Sequence, residues 1–274
     1  MADFTYPPEV HLLADLRVEI EALDDGELLA RLPVTPELLA ADGGVHAGMI
    51  ATLVDIVGGA IAVRAVHPDW MATSDMALQV VRPAVGPVLE ARGTVLRRGR
   101  TTLVIEVTVF DLPDDATPVA WSVLTFAVLP RAADGPPPME LPPVPRHSRF
   151  GPGELGAHVV DAVSIGAGGD GPVSMPIDDY VRNTIGALQG GVVALLAEVA
   201  AARAVAAALD APAAATVDLQ ITYLATGRIG PVEARIRSVD ADPATGSGRG
   251  LVELVDTGAG DRLTARVTFS AVAA

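Results

Sequence analysis

The sequence has no cysteine, which removes disulfides, thiolate nucleophiles and sulfur-ligated metals from the chemistry open to it and suits a reducing compartment. Positive charge is scarce. Lys and Arg number 19 against 34 Asp and Glu, a formal net charge of -15, so the basic surface that nucleic-acid phosphates require is missing. An anionic small molecule met by a few local arginines is still compatible with that balance. The five histidines are scattered, and no metal site is expected. The segment Met1 to Pro8 lacks a basic stretch followed by an apolar one, so no export signal is expected. A membrane span needs about 20 uninterrupted apolar residues, and the apolar stretches are broken by carboxylates and glycines. The expectation is a cytoplasmic protein with neither a nucleic-acid nor a membrane partner.

What is present is hydrophobic. Half of the 274 residues are apolar, enough for two domains of ordinary size with a real core. One stretch organises the chain, from His46 through Ala47, Gly48 and Asp55 to Ala60. Between His46 and Arg64 every residue except Asp55 is apolar, small or hydroxylic, which reads as a buried helix opened by the Gly43-Gly44 turn. A lone carboxylate there costs several kcal/mol unless it is protonated, hydrogen-bonded or paired, so Asp55 needs a local reason to exist.

A shift of 143 residues lays a second stretch over the first: His46 falls on Gln189, Gly48 on Gly191, Leu53 on Leu196 and Asp55 on Glu198. Glu198 is the only charged residue between Arg182 and Arg203. The same shift sets Thr73-Ser74-Asp75 on Thr216-Val217-Asp218, which makes the chain a tandem duplication. In the first copy a strand pair around residues 17–20 and 27–32, turned at Asp24-Asp25-Gly26, precedes the helix. Strand-like runs at 73–81, 88–96, 101–110 and 119–129 follow it, with the alternation of a sheet that buries one face. Pro136-Pro137-Pro138, Pro142-Pro143 and Pro145 mark a linker. After it the order recurs, beginning with strand-like material over 157–165. The expected organisation is an N-terminal domain over 1–130, a Pro-rich linker over 131–153 and a C-terminal domain over 154–274. Each domain is of the α+β class, an antiparallel sheet wrapped round a long central helix, and the two pack as a pseudo-dimer.

Nine helical residues rise about 13 Å, so Asp55 cannot reach the free amides at the start of its own helix. Those amides are the helix's anion site. If the two helices pack antiparallel, the acid of one half meets the N-terminus of the other and two composite sites result. The first joins Asp55 and Thr73 with Asn183, Gln189 and Gly190; the second joins Glu198 and Thr216 with His46 and Ala47. In each, a carboxylate can act on water as general base, or attack an acyl carbon itself, while a backbone N–H holds the developing oxyanion.

These residues resemble a family. His46-Ala47-Gly48 with Asp55 nine residues after the His, then Thr73-Ser74-Asp75 and Val81-Arg82-Pro83, look like the hotdog-fold acyl-CoA thioesterases of the PaaI and 4-hydroxybenzoyl-CoA thioesterase type. The likeness covers about residues 12–129 and, more weakly, 155–273. In that family Asn, five residues and His-Gly-Gly supply the carbonyl-polarising amide, and an Asp or Glu nine residues after the His acts across an interface, assisted by a Ser or Thr eighteen residues on. Asn183, Gln189, Gly190 and Gly191 match the first pattern with Gln in place of His; Asp55 and Thr73 match the second. In the first copy Ala40 stands at the Asn position and Ala47 at the first Gly, so the Asp55 site is the better preserved.

The resemblance implies hydrolysis of a small-molecule acyl-CoA thioester, with coenzyme A as part of the substrate and no separate cofactor. Arg97, Arg98 and Arg100 are expected at a hairpin tip, where they either face solvent or meet coenzyme A phosphates, which guanidinium groups suit. Further assembly of pseudo-dimers into a homo-oligomer is open to such a chain. Two other readings fit the residues less well. One is a non-catalytic acyl-CoA or lipid-binding protein, favoured by Ala40, Ala47 and Gln189. The other is an enoyl-CoA hydratase, which would pair an Asp with a His five residues on, where Asp42 precedes His46 by four.

Overall fold

The structure, a computed structural model, describes residues 6–23, 27–129, 147–167 and 172–274. The expected turn at Asp24-Asp25-Gly26 and the proline clusters of the expected linker lie outside these residues. The first copy runs α1 (Leu12–Asp15), β1 (Glu19–Ala22), β2 (Leu28–Pro33), α2 (Ala47–Val66), β3 (Trp70–Val80), β4 (Val88–Arg98), β5 (Thr102–Leu112) and β6 (Asp114–Leu129). After β7 (His147–Arg149) the second runs α3 (Val159–Ala162), β8 (Gly166–Ala167), β9 (Val173–Met175), α4 (Gly190–Leu209), β10 (Ala214–Tyr223), β11 (Val232–Asp242), β12 (Ser247–Asp256) and β13 (Arg262–Ala273).

Among the described residues thirteen strands form one antiparallel sheet in the order β7-β1-β2-β4-β5-β6-β3-β10-β13-β12-β11-β9-β8. It is two hotdog sheets joined at a central seam, where β3 and β10 pair with Leu78 opposite Leu219 and Met76 opposite Ile221. Both seam strands carry an irregularity at equivalent points, between Thr73 and Asp75 and between Thr216 and Asp218. The long helices are apolar on every side over residues 47–58 and 190–201, where almost every position is covered. By length and composition either could cross a bilayer, contrary to the expectation from sequence, but more than half of each apolar window is buried inside the protein.

The pseudo-twofold is clearest where the helices cross. A β-carbon on Gly48 would lie 2.3 Å from the Leu195 Cα, and one on Gly191 would lie 2.3 Å from the Thr52 Cα. Each residue met stands four places after the opposing glycine, so the helices run antiparallel, N-terminal turn against the first third of the partner. Only glycine permits backbone contact this close. The turns entering the helices are matched as well: Gly43 and Gly186, again 143 apart, have φ of +79° and +71°.

Three local expectations fail. The run over 157–165 holds the short helix α3 rather than a strand, and α1, its counterpart, was not foreseen at all. Both are four residues long and are capped by histidines, His11 receiving the Leu13 N–H and His158 the Val160 N–H, instead of by the usual Ser, Thr, Asp or Asn. Val159-Val160 carries the β-branched signal of a strand. Finally, residues 147–149, inside the expected linker, form β7 and pair with β1, so Glu19 stands opposite Arg149.

Candidate active site

Asp55 sits in the middle of α2 and faces the N-terminal turn of α4. The Gln189 side-chain amide bridges the two: its Oε1 accepts the Val192 N–H at 3.0 Å, capping α4, and its Nε2 donates to Asp55 Oδ2 at 3.3 Å. From the seam strand, the Thr73 hydroxyl donates to Asp55 Oδ1 at 3.4 Å. A β-carbon on Gly190 would lie 2.8 Å from Asp55 Oδ2, so glycine is what lets carboxylate and helix start approach this closely. The Gly190 N–H, an orphan of the first helical turn, makes no hydrogen bond among the described residues.

Asp55 lies deep among protein atoms yet keeps some access to solvent. Desolvation pushes its carboxyl up from 3.8 to about 6, against the pull of the Thr73 hydroxyl and the Gly191 N–H. Two tyrosines not anticipated from the sequence also face it. Tyr6 donates to the Arg182 carbonyl at 3.3 Å, and Tyr223, at the end of β10, donates to the Gly190 carbonyl at 3.0 Å. Burial first, and then the Asp55 charge, raises both phenols above their ordinary value, so both remain donors. Nothing in the sequence singles them out, since the two tyrosines come from opposite ends of the chain.

Asn183 is not brought to Asp55. Its Oδ1 accepts the N–H groups of Ile185 at 3.1 Å and Ala187 at 3.0 Å, which shapes the loop entering α4. This is the turn role common for Asn.

The pseudo-symmetric site differs in kind. Glu198, one methylene longer and buried, reaches the start of α2 and is fully engaged there. Oε1 accepts from His46 Nδ1 at 2.8 Å and from the Ala47 N–H at 3.0 Å, and Oε2 accepts the Gly48 N–H at 2.8 Å. The amide expected to hold an oxyanion is therefore occupied by the acid itself. Thr216 turns its hydroxyl to the Glu198 backbone carbonyl at 3.5 Å, not to the carboxylate. Burial works against the His46 imidazolium, but the adjacent Glu198 charge and hydrogen bond prevail and its pKa is raised. A cavity of about 130 Å³ opens beside Glu198, walled by Ala47, Val80, Arg82, Thr216 and Val217 among others. Asp42 accepts the Gly44 N–H within its own loop, a turn role rather than partnership with His46.

Arg97, Arg98 and Arg100 are exposed at the β4–β5 tip. Across the sheet Thr73 stands opposite Phe126, Phe126 opposite Leu103 and Leu103 opposite Arg98, so the tip lies in the same row as the threonine that meets Asp55. In the second copy Gly248 packs on Val205 of α4. That places the β11–β12 tip, which holds Asp240 and Asp242 with Arg249 3.9 Å from Asp240, at the Glu198 end. Among the described residues no group of three or more His, Asp or Glu side chains is arranged to hold a metal.

A model of the thioesterase superfamily matches residues 42–117 and 185–246, the helix and following strands of each copy. An esterase-named protein from Halobacterium salinarum is 36% identical over 119 residues, covering 41% of this chain and 78% of that protein. Among solved structures, a protein from Thermobifida fusca titled as a thioesterase II aligns over 97% of this chain and 98% of its own, with TM-score 0.61 at 18% identity. The tesB protein of Mycobacterium avium subs paratuberculosis aligns over 90% and 93%, with TM-score 0.58 at 15% identity. At these identities the two structures speak to fold, and their coverage takes in both copies together.

Proposed function

The chain belongs to the thioesterase superfamily and is a thioester hydrolase, and from that premise we propose that it hydrolyses acyl-CoA at the composite site of Asp55 with the start of α4. The observation that carries this reading is the contrast between the two acids. Asp55 accepts from side chains, at 3.3 and 3.4 Å, and packs against a helix start whose Gly190 N–H is unengaged among the described residues, whereas Glu198 itself takes the first amides of the opposing helix. The raised pKa of Asp55 makes its carboxylate a better base than an exposed aspartate while leaving it ionised near neutral pH.

In this mechanism the thioester carbonyl oxygen lies against the Gly190 N–H, reinforced by the α4 dipole. Asp55 takes a proton from a water molecule, whose oxygen bonds to the acyl carbon. The oxyanion collapses, the carbon–sulfur bond breaks, and the proton passes to the departing thiolate, giving a free acid and a free thiol. Gln189 and Thr73 hold the carboxylate in place. Gln189 does not titrate, so its role is orientation. Arg97, Arg98 and Arg100 would meet the nucleotide phosphates, and their position at the Asp55 end of the molecule supports both coenzyme A as the carrier and Asp55 as the working acid.

Thiol release from a panel of acyl-CoAs tests this. Asp55→Asn is expected to lower kcat by about 10²–10⁴-fold, the range for loss of a general base, with the fold retained by circular dichroism. Glu198→Gln is expected to have the smaller effect on turnover. Full activity of Asp55→Asn, or the reverse ranking, would overturn the assignment.

A further inference from the structure

The two halves differ at one position that neither site pattern includes. Tyr223 closes β10, and its counterpart 143 residues earlier, Val80, closes β3. Val80 is a wall of the cavity beside Glu198. At the Asp55 site the same place holds a phenol that donates to the Gly190 carbonyl at 3.0 Å. That carbonyl belongs to the Gly190–Gly191 peptide, which packs against Asp55: a β-carbon on Gly190 would lie 2.8 Å from Oδ2, and the Gly191 N–H of the same unit pulls the carboxyl down.

We propose that Tyr223 is a positioning residue for Asp55: by holding the Gly190 carbonyl it fixes and polarises the Gly190–Gly191 peptide, whose N–H steadies the catalytic carboxylate. The inference rests on the reading that Asp55 is the working base. A donor on a peptide oxygen strengthens the N–H of the same unit as a hydrogen-bond donor, because hydrogen bonds in series polarise one another. The constraint on geometry matters as much. The first turn of α4 is capped by Gln189 and packs on Thr52, but neither contact holds the Gly190 carbonyl, and Gly190 has no side chain that would fix its peptide by packing. Tyr223 ties this turn to the sheet, at the end of a strand held in register by β13 through the pair Tyr223 and Ala265. It also remains a donor over the working pH range, since burial and the Asp55 charge both keep the phenol protonated. The Glu198 site, with Val80 in this place, has no such tie, and there the acid reaches the helix start unaided because it is longer by a methylene.

Tyr223→Phe tests this, since it keeps the ring and its packing while removing only the hydroxyl. The titratable groups facing Asp55 are Tyr6 from the N-terminal segment and Tyr223 itself, so a change in the acid limb of the kcat–pH profile reports on Asp55. With the donor gone the carboxylate is less well stabilised and its pKa rises. The limb is expected to move up by about 0.3–1 unit and kcat at neutral pH to fall about two- to tenfold, the range for one hydrogen bond. KM for acyl-CoA should change little. Tyr223→Phe combined with Asp55→Asn should lose no more than Asp55→Asn alone, as residues acting through one another are not additive. An acid limb that stays in place overturns the proposal, whether kcat is unchanged or falls, because a purely structural role lowers activity without moving the pH profile. Full activity of Asp55→Asn removes the reading beneath it as well.

Discussion

At the scale of single residues, the function turns on one methylene and one methyl group. Glu198 is long enough to take both first-turn amides of α2 and the His46 ring, and its engagement closes that site. Asp55, one methylene shorter, packs against Gly190, which stands where the other helix has Ala47, and a β-carbon there would fall 2.8 Å from Oδ2. The cost of this arrangement is legible in proton equilibria. The Asp55 carboxyl is raised from 3.8 to about 6, the reverse of a salt-bridged acid. Between these values the folded protein binds the proton more tightly than the unfolded chain, so ionising Asp55 opposes folding. The penalty is absent below about 3.8, grows as pH rises to about 6, and is complete above that. Two outcomes are expected. Turnover should rise with pH along an acid limb centred near 6, measured as kcat against pH. Asp55→Asn, while inactive, should be more stable than the parent at pH 7 by up to about 3 kcal/mol, a gain that shrinks on acidification and is read from denaturant midpoints across pH.

At the scale of elements, the site exists because two helices touch backbone to backbone. Gly191→Ala would press a methyl into Thr52, whose Cα and Oγ1 are both 2.3 Å from its ideal position. A backbone atom cannot swing away, so the helices must part, at a cost of about 1–3 kcal/mol or more. Gly59→Ala on the opposing helix α2 meets nothing within 4 Å and should instead stabilise by about 0.5–1 kcal/mol. Thermal melts of the pair would show opposite shifts, and a neutral Gly191→Ala would contradict the packing described. This crossing was legible in the sequence, because the 143-residue repeat places a glycine and an acid at matched points of two apolar helices, and helical rise forces each acid toward the other helix. The bounds of α2 and α4 and the approach of Asp55 to Gln189 follow from the same reasoning. What escaped it has a common cause. Tyr223 and Tyr6 reach Asp55 from elements far away in sequence, and no local period marks them. The four-residue helices α1 and α3 are too short to show a helical repeat and use histidine caps. Asn183 matched a pattern but spends its side chain on its own loop, which spacing cannot distinguish from a place in the site.

At the scale of the whole molecule, duplication has produced a protein of two unlike ends. The end that presents Asp55 also presents Arg97, Arg98 and Arg100, whereas the corresponding tip at the Glu198 end balances Asp240 and Asp242 against Arg237 and Arg249. On a chain of net charge -15, a local basic tip is where a nucleotide phosphate would be drawn. Replacing the three arginines by alanine is expected to raise KM for acyl-CoA about tenfold or more and to flatten its salt dependence. The same acyl group carried on pantetheine, which lacks the nucleotide, should be hydrolysed unchanged. Equal losses on both substrates would separate the tip from phosphate recognition.

The β3–β10 seam described above carries the backbone ladder from one copy into the other. Neither copy can shed its sheet without stripping hydrogen bonds from its twin, so the two are expected to unfold in one cooperative step, and a calorimetric trace with two separate transitions would contradict it.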